Sequence, residues 1–203
     1  QRNSETILNL ALQEQKSIGL KQKFYKTQIN QEFLNQSLEA LLGLVNKSPE
    51  RADQFISNLS EIYRTILTGK KDEPIPLRSE RSVLAHYNEV LNEIYCNQIS
   101  INQNYIDEDH YIVPGTLIIV VEHLIRRTII DQNQPFKIEI DIVESNIIVE
   151  CAKNDKLNYD SKNDTFDLLN KYYTNFTGRE ITISESDRFL KLAIPLIYIK
   201  TDN

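Results

Sequence analysis

The chain has 203 residues, 40% of them hydrophobic and 26% charged, and a formal net charge of -6. That balance suits a folded chain with a substantial core, and net negative charge without a basic stripe excludes a general nucleic-acid binder, because phosphate recruits cations. Two cysteines (Cys96, Cys151) and three histidines (His86, His110, His123) lie scattered, which excludes a disulfide scaffold and a Cys- or His-rich metal centre.

From about Ser4 to Val45 the chain lacks proline, and its apolar positions, such as Phe24, Ile29, Phe33, Leu38, Leu41 and Val45, recur at loosely helical spacing. The part from Ser4 to Lys26 is polar on most sides and predicts a protruding or coiled-coil helix. Ser48-Pro49-Glu50 is a helix start: a capping hydroxyl, a proline suited to the first turn, and an acid that complements the helix dipole. The stripe Ala52, Phe55, Ile56, Leu59, Ile62, Tyr63, Ile66 follows, and Gly69 ends it. Residues 4–69 are therefore expected to form a helical hairpin. Its apolar faces exceed what two helices can cover, which predicts a dimer completing a four-helix bundle, with Leu59 and Ile62 facing the partner copy.

Lys70 to Pro76 is expected to be a polar linker. A third helix is expected over about Ser79–Tyr95 and a strand over Gln98–Asn102. The apolar run Leu117–Ile125 predicts a buried helix. Phe136, Ile138, Ile140 and Ile142 alternate with polar residues, and Ile147–Cys151 runs back after a turn at Ser145-Asn146, which predicts a hairpin. A helix at about Phe166–Asn175 and strands at Ile181–Ile183 and Phe189–Ile194 complete an α+β layer with helices on one face of a mixed sheet.

Several segments, in order, resemble LytS-like sensor histidine kinases. Gln28-Ile29-Asn30-Gln31-Glu32-Phe33-Leu34-Asn35-Gln36-Ser37-Leu38 resembles the family's histidine box, Q-I-N-P-H-F-L-F-N-S-L. Leu59-Ser60-Glu61-Ile62-Tyr63-Arg64 resembles L-S-x-L-L-R, and Ile75-Pro76-Leu77 with Glu80 resembles V-P-L-x-x-E. Val113-Pro114 followed by Glu122 resembles V-P-P…V-E-N-A, the N box. Leu168-Leu169-Asn170 resembles the end of G-I-G-L-x-N, and Phe189–Leu196 resembles the closing strand that ends in I-P-L. The resemblance implies two parts: residues 1–72 as a linker and dimerisation hairpin, and residues 73–203 as a GHKL-like ATPase-type α/β sandwich with a mixed sheet.

Departures fall where the family's chemistry would occur. Glu32 stands at the phospho-accepting histidine, and a carboxylate cannot replace the imidazole nitrogen that carries a phosphoramidate. His123 stands at the N-box asparagine that ligates magnesium. Thr165-Phe166-Asp167 stands at G-x-G, and Lys153-Asn154-Asp155 at the D-x-G-x-G region. The five glycines are Gly19, Gly43, Gly69, Gly115 and Gly178, so none lies where backbone would have to approach phosphates closely.

Each of these positions has a sharp and a plain meaning. Glu32 either mimics a permanent negative charge or is a solvated helix residue. Glu122 is either a residual general base or a structural group, and His123 either a metal ligand or a packed ring. Arg126 and Arg127 either contact an acidic partner or residual phosphate or form a solvated helix end, where cations suit the dipole. Asp155, Thr165, Asp167 and Asn170 are the positions of a degenerate ATP site. The expectation is a signal-transmitting pseudokinase with no resident cofactor or metal; ATP and magnesium belong to the alternative of an active sensor kinase. Implied partners are a second copy or a related kinase, a response regulator, and the membrane through a preceding segment at the cytoplasmic side of the bacterial inner membrane. The chain begins at Gln1 and contains no methionine, as expected of a piece of a longer protein.

Overall fold

A computed structural model of the chain describes residues 31–68, 73–105, 110–156 and 164–198. Its elements in chain order are α1 (Gln31–Val45), α2 (Pro49–Thr68), β1 (Ile75–Pro76), α3 (Leu77–Ile94), β2 (Ile99–Gln103), β3 (Tyr111–Ile112), α4 (Thr116–Arg127), β4 (Phe136–Val143), β5 (Asn146–Ala152), α5 (Asp164–Thr177), β6 (Thr182–Glu185) and β7 (Phe189–Pro195). The part of the expected first helix from Ser4 to Asn30 lies outside the described residues.

The hairpin forms from α1 and α2. The Ser48 carbonyl accepts the Ala52 N–H at 3.0 Å, and the Ser48 hydroxyl donates to the Glu50 carboxylate at 3.3 Å, so α2 starts where its cap signals place it. α2 also packs along α3, and Arg51 clamps Glu93 with nitrogens at 3.2 and 2.6 Å across that seam. Here the expectation for Ile62 is corrected. It is only 1% exposed and belongs to the chain's own core, with Leu59 half-buried against it. The reason is α3, which supplies a third helix to cover the stripe. The apolar residues left in water are instead Leu38, Leu42 and Val45 on α1 and Ile56 and Leu67 on α2.

The expected linker before α3 is also corrected at its end. Ile75 and Pro76 form β1, antiparallel to β3, with Ile75 opposite Ile112 and Pro76 opposite Tyr111. A two-residue strand carries no periodicity to detect, and Pro76 tolerates this place because a two-stranded ribbon leaves its ring on an edge. α3 starts at once, two residues before Ser79, with the Leu77 N–H bonded to the His110 carbonyl at 2.9 Å.

The main sheet is mixed and five-stranded, in the order β2-β4-β5-β7-β6. β2 runs parallel to β4, with Ile99 opposite Phe136, and the parallel pair is joined through α4 as such pairs require. The β4–β5 hairpin forms as predicted, with Ile138 opposite Cys151 and Val143 opposite Asn146; its turn is Glu144–Ser145, one residue earlier than expected. Alternation sorts the faces. Phe136, Ile138, Ile140, Ile147, Val149, Leu190, Leu192 and Ile194 are buried, whereas Lys137, Asp141 and Lys191 are exposed. The buried face is covered by helices, so the α+β layer expected from the pattern is the layer observed. α4 is its central helix: Leu117, Val120, Val121 and Leu124 are fully buried.

Candidate functional site

α4 carries the N-box pair, so the site begins with what fixes α4. Its first turn has unpaired backbone N–H groups and the positive end of the helix dipole. Gly115 precedes it at φ +81°, a left-handed conformation that favours glycine. The carboxylate of Glu80, on α3, accepts the Gly115 N–H at 2.5 Å and the Leu117 N–H at 3.2 Å. Glu80 is buried, and burial lifts its pKa to about 7 although the two N–H donors pull the other way. On the neighbouring turn the Thr116 hydroxyl donates to the Val113 carbonyl at 2.7 Å and lies 3.1 Å from the Tyr173 hydroxyl, tying α5 to the same helix end. The glutamate of the V-P-L-x-x-E-like segment thus holds the helix that presents the N box.

At the other end of α4, successive residues point about 100° apart, and the two N-box positions face different surroundings. Glu122 opens into a pocket of about 190 Å³ between α1, α3 and α4, with Glu32, Phe33, Tyr87, Tyr95 and Arg126 among its walls. Phe33 closes one side against Tyr87, ring centroids 5.0 Å apart. Arg126 reaches Glu32 at 3.7 Å. Burial is the main cause of a Glu122 pKa near 7; Arg126 opposes the rise and Glu32 adds to it. The structure therefore brings together Glu32 and Glu122, 90 residues apart in sequence.

His123 faces the other way, 6% exposed, with its ring stacked on Phe166 of α5 at 4.4 Å between centroids and 23° between planes. Burial, then Arg127 and Arg126, lower its pKa to about 4, so the ring is neutral at pH 7. Phe166 is the middle residue of the segment aligned with G-x-G, and Asp167 beside it is exposed. The side chain of Thr165 lies outside the described residues. Asn170 accepts the Ile181 N–H at 2.8 Å through its side-chain oxygen, which anchors the start of the β6 segment to α5.

Arg127 corrects the expectation of a solvated helix end. Its side chain is 12% exposed and binds Asp155 with both a 2.6 Å and a 2.7 Å hydrogen bond, and Glu185 with a third at 2.5 Å. Lys153 adds a bond to Glu185 at 3.1 Å. The guanidinium holds Asp155 below its ordinary range and Glu185 at about 2. Arg126 is exposed as expected and turns to Glu32. Sequence inspection missed Glu185 and gave Lys153 no partner: Lys153 follows β5 and Glu185 ends β6, 32 residues apart with no shared spacing, and the sheet brings them together. Among the described residues no group of three or more His, Cys, Asp or Glu side chains could hold a metal ion.

A helical hairpin lies on an α+β sheet domain, with position 32 facing Glu122, which is the arrangement the sequence resemblance to sensor histidine kinases implies. The family described as "Histidine kinase" matches residues 20–99. The "Sensor protein LytS" of Staphylococcus epidermidis is 25% identical over 122 residues, 59% of this chain and 21% of its own length. The "Sensor histidine kinase/phosphatase LytS" of Staphylococcus aureus is 29% identical over 126 residues, 60% of this chain and 21% of its own length. The chain thus spans about a fifth of the curated relatives it matches. Among solved structures, Acinetobacter baumannii histidine kinase AdeS aligns with a TM-score of 0.41 and 11% identity over 80% of this chain and 94% of that one. A bacterial phosphotransferase aligns at 0.48 and 8%, over 88% and 95%. Over residues 20–99 the chain is thus similar to the histidine kinase family, and the curated relatives it resembles are LytS sensor proteins.

Proposed function

We propose that this chain is the signal-transmitting region of a sensor histidine kinase homologue that works through contacts rather than through phosphate transfer. The observation that carries the reading is that the nucleotide-site positions are engaged with one another. His123 is stacked against Phe166 where asparagine would hold magnesium, and Asp155 is bound at two oxygens by Arg127. The residues present do not fit ATP–magnesium. A neutral, buried imidazole under an aromatic ring offers poor access to a hydrated magnesium ion, and no glycine between Gly115 and Gly178 provides close backbone approach to phosphate. Glu32 cannot carry the phosphate the family places on histidine.

The proposed working form is a dimer, of two copies or with a related kinase, with the exposed Leu38, Leu42 and Val45 row on α1 at the contact. A response regulator is the proposed downstream partner, and a preceding segment the proposed link to the cytoplasmic side of the membrane. Among the described residues no helix is long and apolar enough to cross a membrane.

One observation favours a second reading, an active kinase. Glu122 has a pKa near 7 and faces position 32, as a general base would. Isothermal calorimetry with ATP–magnesium separates the two. No saturable heat up to millimolar nucleotide is expected; ADP-competed binding tighter than about 100 μM, roughly -5.5 kcal/mol, would reject the contact-only reading. Glu32→His incubated with labelled ATP is expected to stay unlabelled.

A further inference from the structure

We propose that Glu32, Arg126 and Glu122 form a proton-sensitive clasp that seats the hairpin helix α1 on α4. Arg126 is shared. It pairs with Glu32 on α1 at 3.7 Å and also sits one helical turn after Glu122, the spacing at which side chains of one helix meet. The two carboxylates line one pocket, and the groups that face Glu122 come from every element around it. These are Glu32 from α1, Tyr63 from α2, Tyr87 and Tyr95 from α3, Arg126 from α4 itself, and Lys156 after β5. When Glu122 is charged it competes with Glu32 for one guanidinium and repels Glu32 directly. When Glu122 takes up a proton, Arg126 serves Glu32 alone.

Linkage fixes the direction. Seating α1 buries Glu122 further and places Glu32 beside it, and both effects raise its proton affinity. The seated state therefore binds the proton more tightly, and α1 is held more firmly below about pH 7 than above it. Neither nucleotide nor phosphate enters this device, so it stands or falls separately from the contact-only reading of the ATP site.

Hydrogen exchange of the α1 amides in the full chain, corrected for intrinsic rates, tests the clasp. Protection of residues 34–45 is expected to be about two- to five-fold greater at pH 6 than at pH 8, the range one partly exposed charge pair commands. Glu122→Gln should abolish that difference. Glu32→Gln, at an exposed position where folding is not in question, should reduce it to the part that burial of Glu122 alone contributes. Glu80→Gln removes the other carboxyl that titrates near pH 7 and should leave the difference intact. Equal protection at both pH values, a difference undiminished in Glu32→Gln, or one that vanishes on tenfold dilution would overturn the proposal.

Discussion

Glu80 shows how much one buried carboxylate can position. It holds two N–H groups at the start of α4, so Glu80→Ala leaves those donors buried without a partner. The expected loss is about 2–4 kcal/mol of unfolding free energy in urea, with α4 protection lost first in hydrogen exchange. Glu80 and Glu122 also set a pH profile. Both have a folded-state pKa of about 7 against an ordinary 4.5, so between those values the folded chain holds more protons than the unfolded one. Their contribution is fully present below pH 4.5 and is lost as pH rises through 7. His123, lowered to about 4, acts in the opposite sense up to its ordinary 6.5, so the carboxyls act unopposed above that value. Stability is expected to fall by about 1–2 kcal/mol between pH 6.5 and 8.5, and Glu80→Gln should remove roughly half of the fall. The sequence placed Glu80 in a family-like segment but gave no sign of its partners, because backbone N–H groups 35 residues away leave no trace in residue identity.

At the scale of elements, the hairpin helices separate residues that look alike in sequence. Ile62 and Leu42 both fall on apolar helical stripes, yet Ile62 is buried under α3 and Leu42 is 71% exposed. Ile62→Glu is therefore expected to unfold the protomer, with a cost above about 3 kcal/mol for an unpaired buried charge. Leu42→Glu should leave thermal stability of the dilute chain within about 0.5 kcal/mol and shift its mass toward the monomer in light scattering at high micromolar concentration. A dimer unmoved by Leu42→Glu would place the contact elsewhere. α2's start and α4's extent were legible because capping residues and an unbroken apolar run act locally. β1 was not, since a strand of two residues exists only through its pairing with β3.

Across the whole molecule, the sheet's job is to bring distant charges to one place. Arg127 ends α4, Lys153 and Asp155 follow β5, and Glu185 closes β6; the strand order β5-β7-β6 sets them side by side. Arg127→Met should release Asp155 and Glu185 from their shared cation and cost about 1–3 kcal/mol at low salt. Chemical denaturation at rising ionic strength checks this, because screening should narrow the gap between variant and parent.

The sequence by itself determined the helical hairpin, the strand alternation, the α+β class and the family resemblance. All of these rest on local periodicity, caps and colinear motifs, and periodicity survives in a linear string. It also located Glu32, His123 and Asp155 as departures from the family's pattern. Only the tertiary structure decided what those residues meet: Glu32 faces Glu122 and Arg126, His123 lies under Phe166, and Asp155 is clasped by Arg127. The physical reason is that burial and pairing are properties of the packed neighbourhood. A carboxyl near pKa 7 and one held below its ordinary range differ in what surrounds them, and the chain assembles those surroundings from segments that no spacing rule connects.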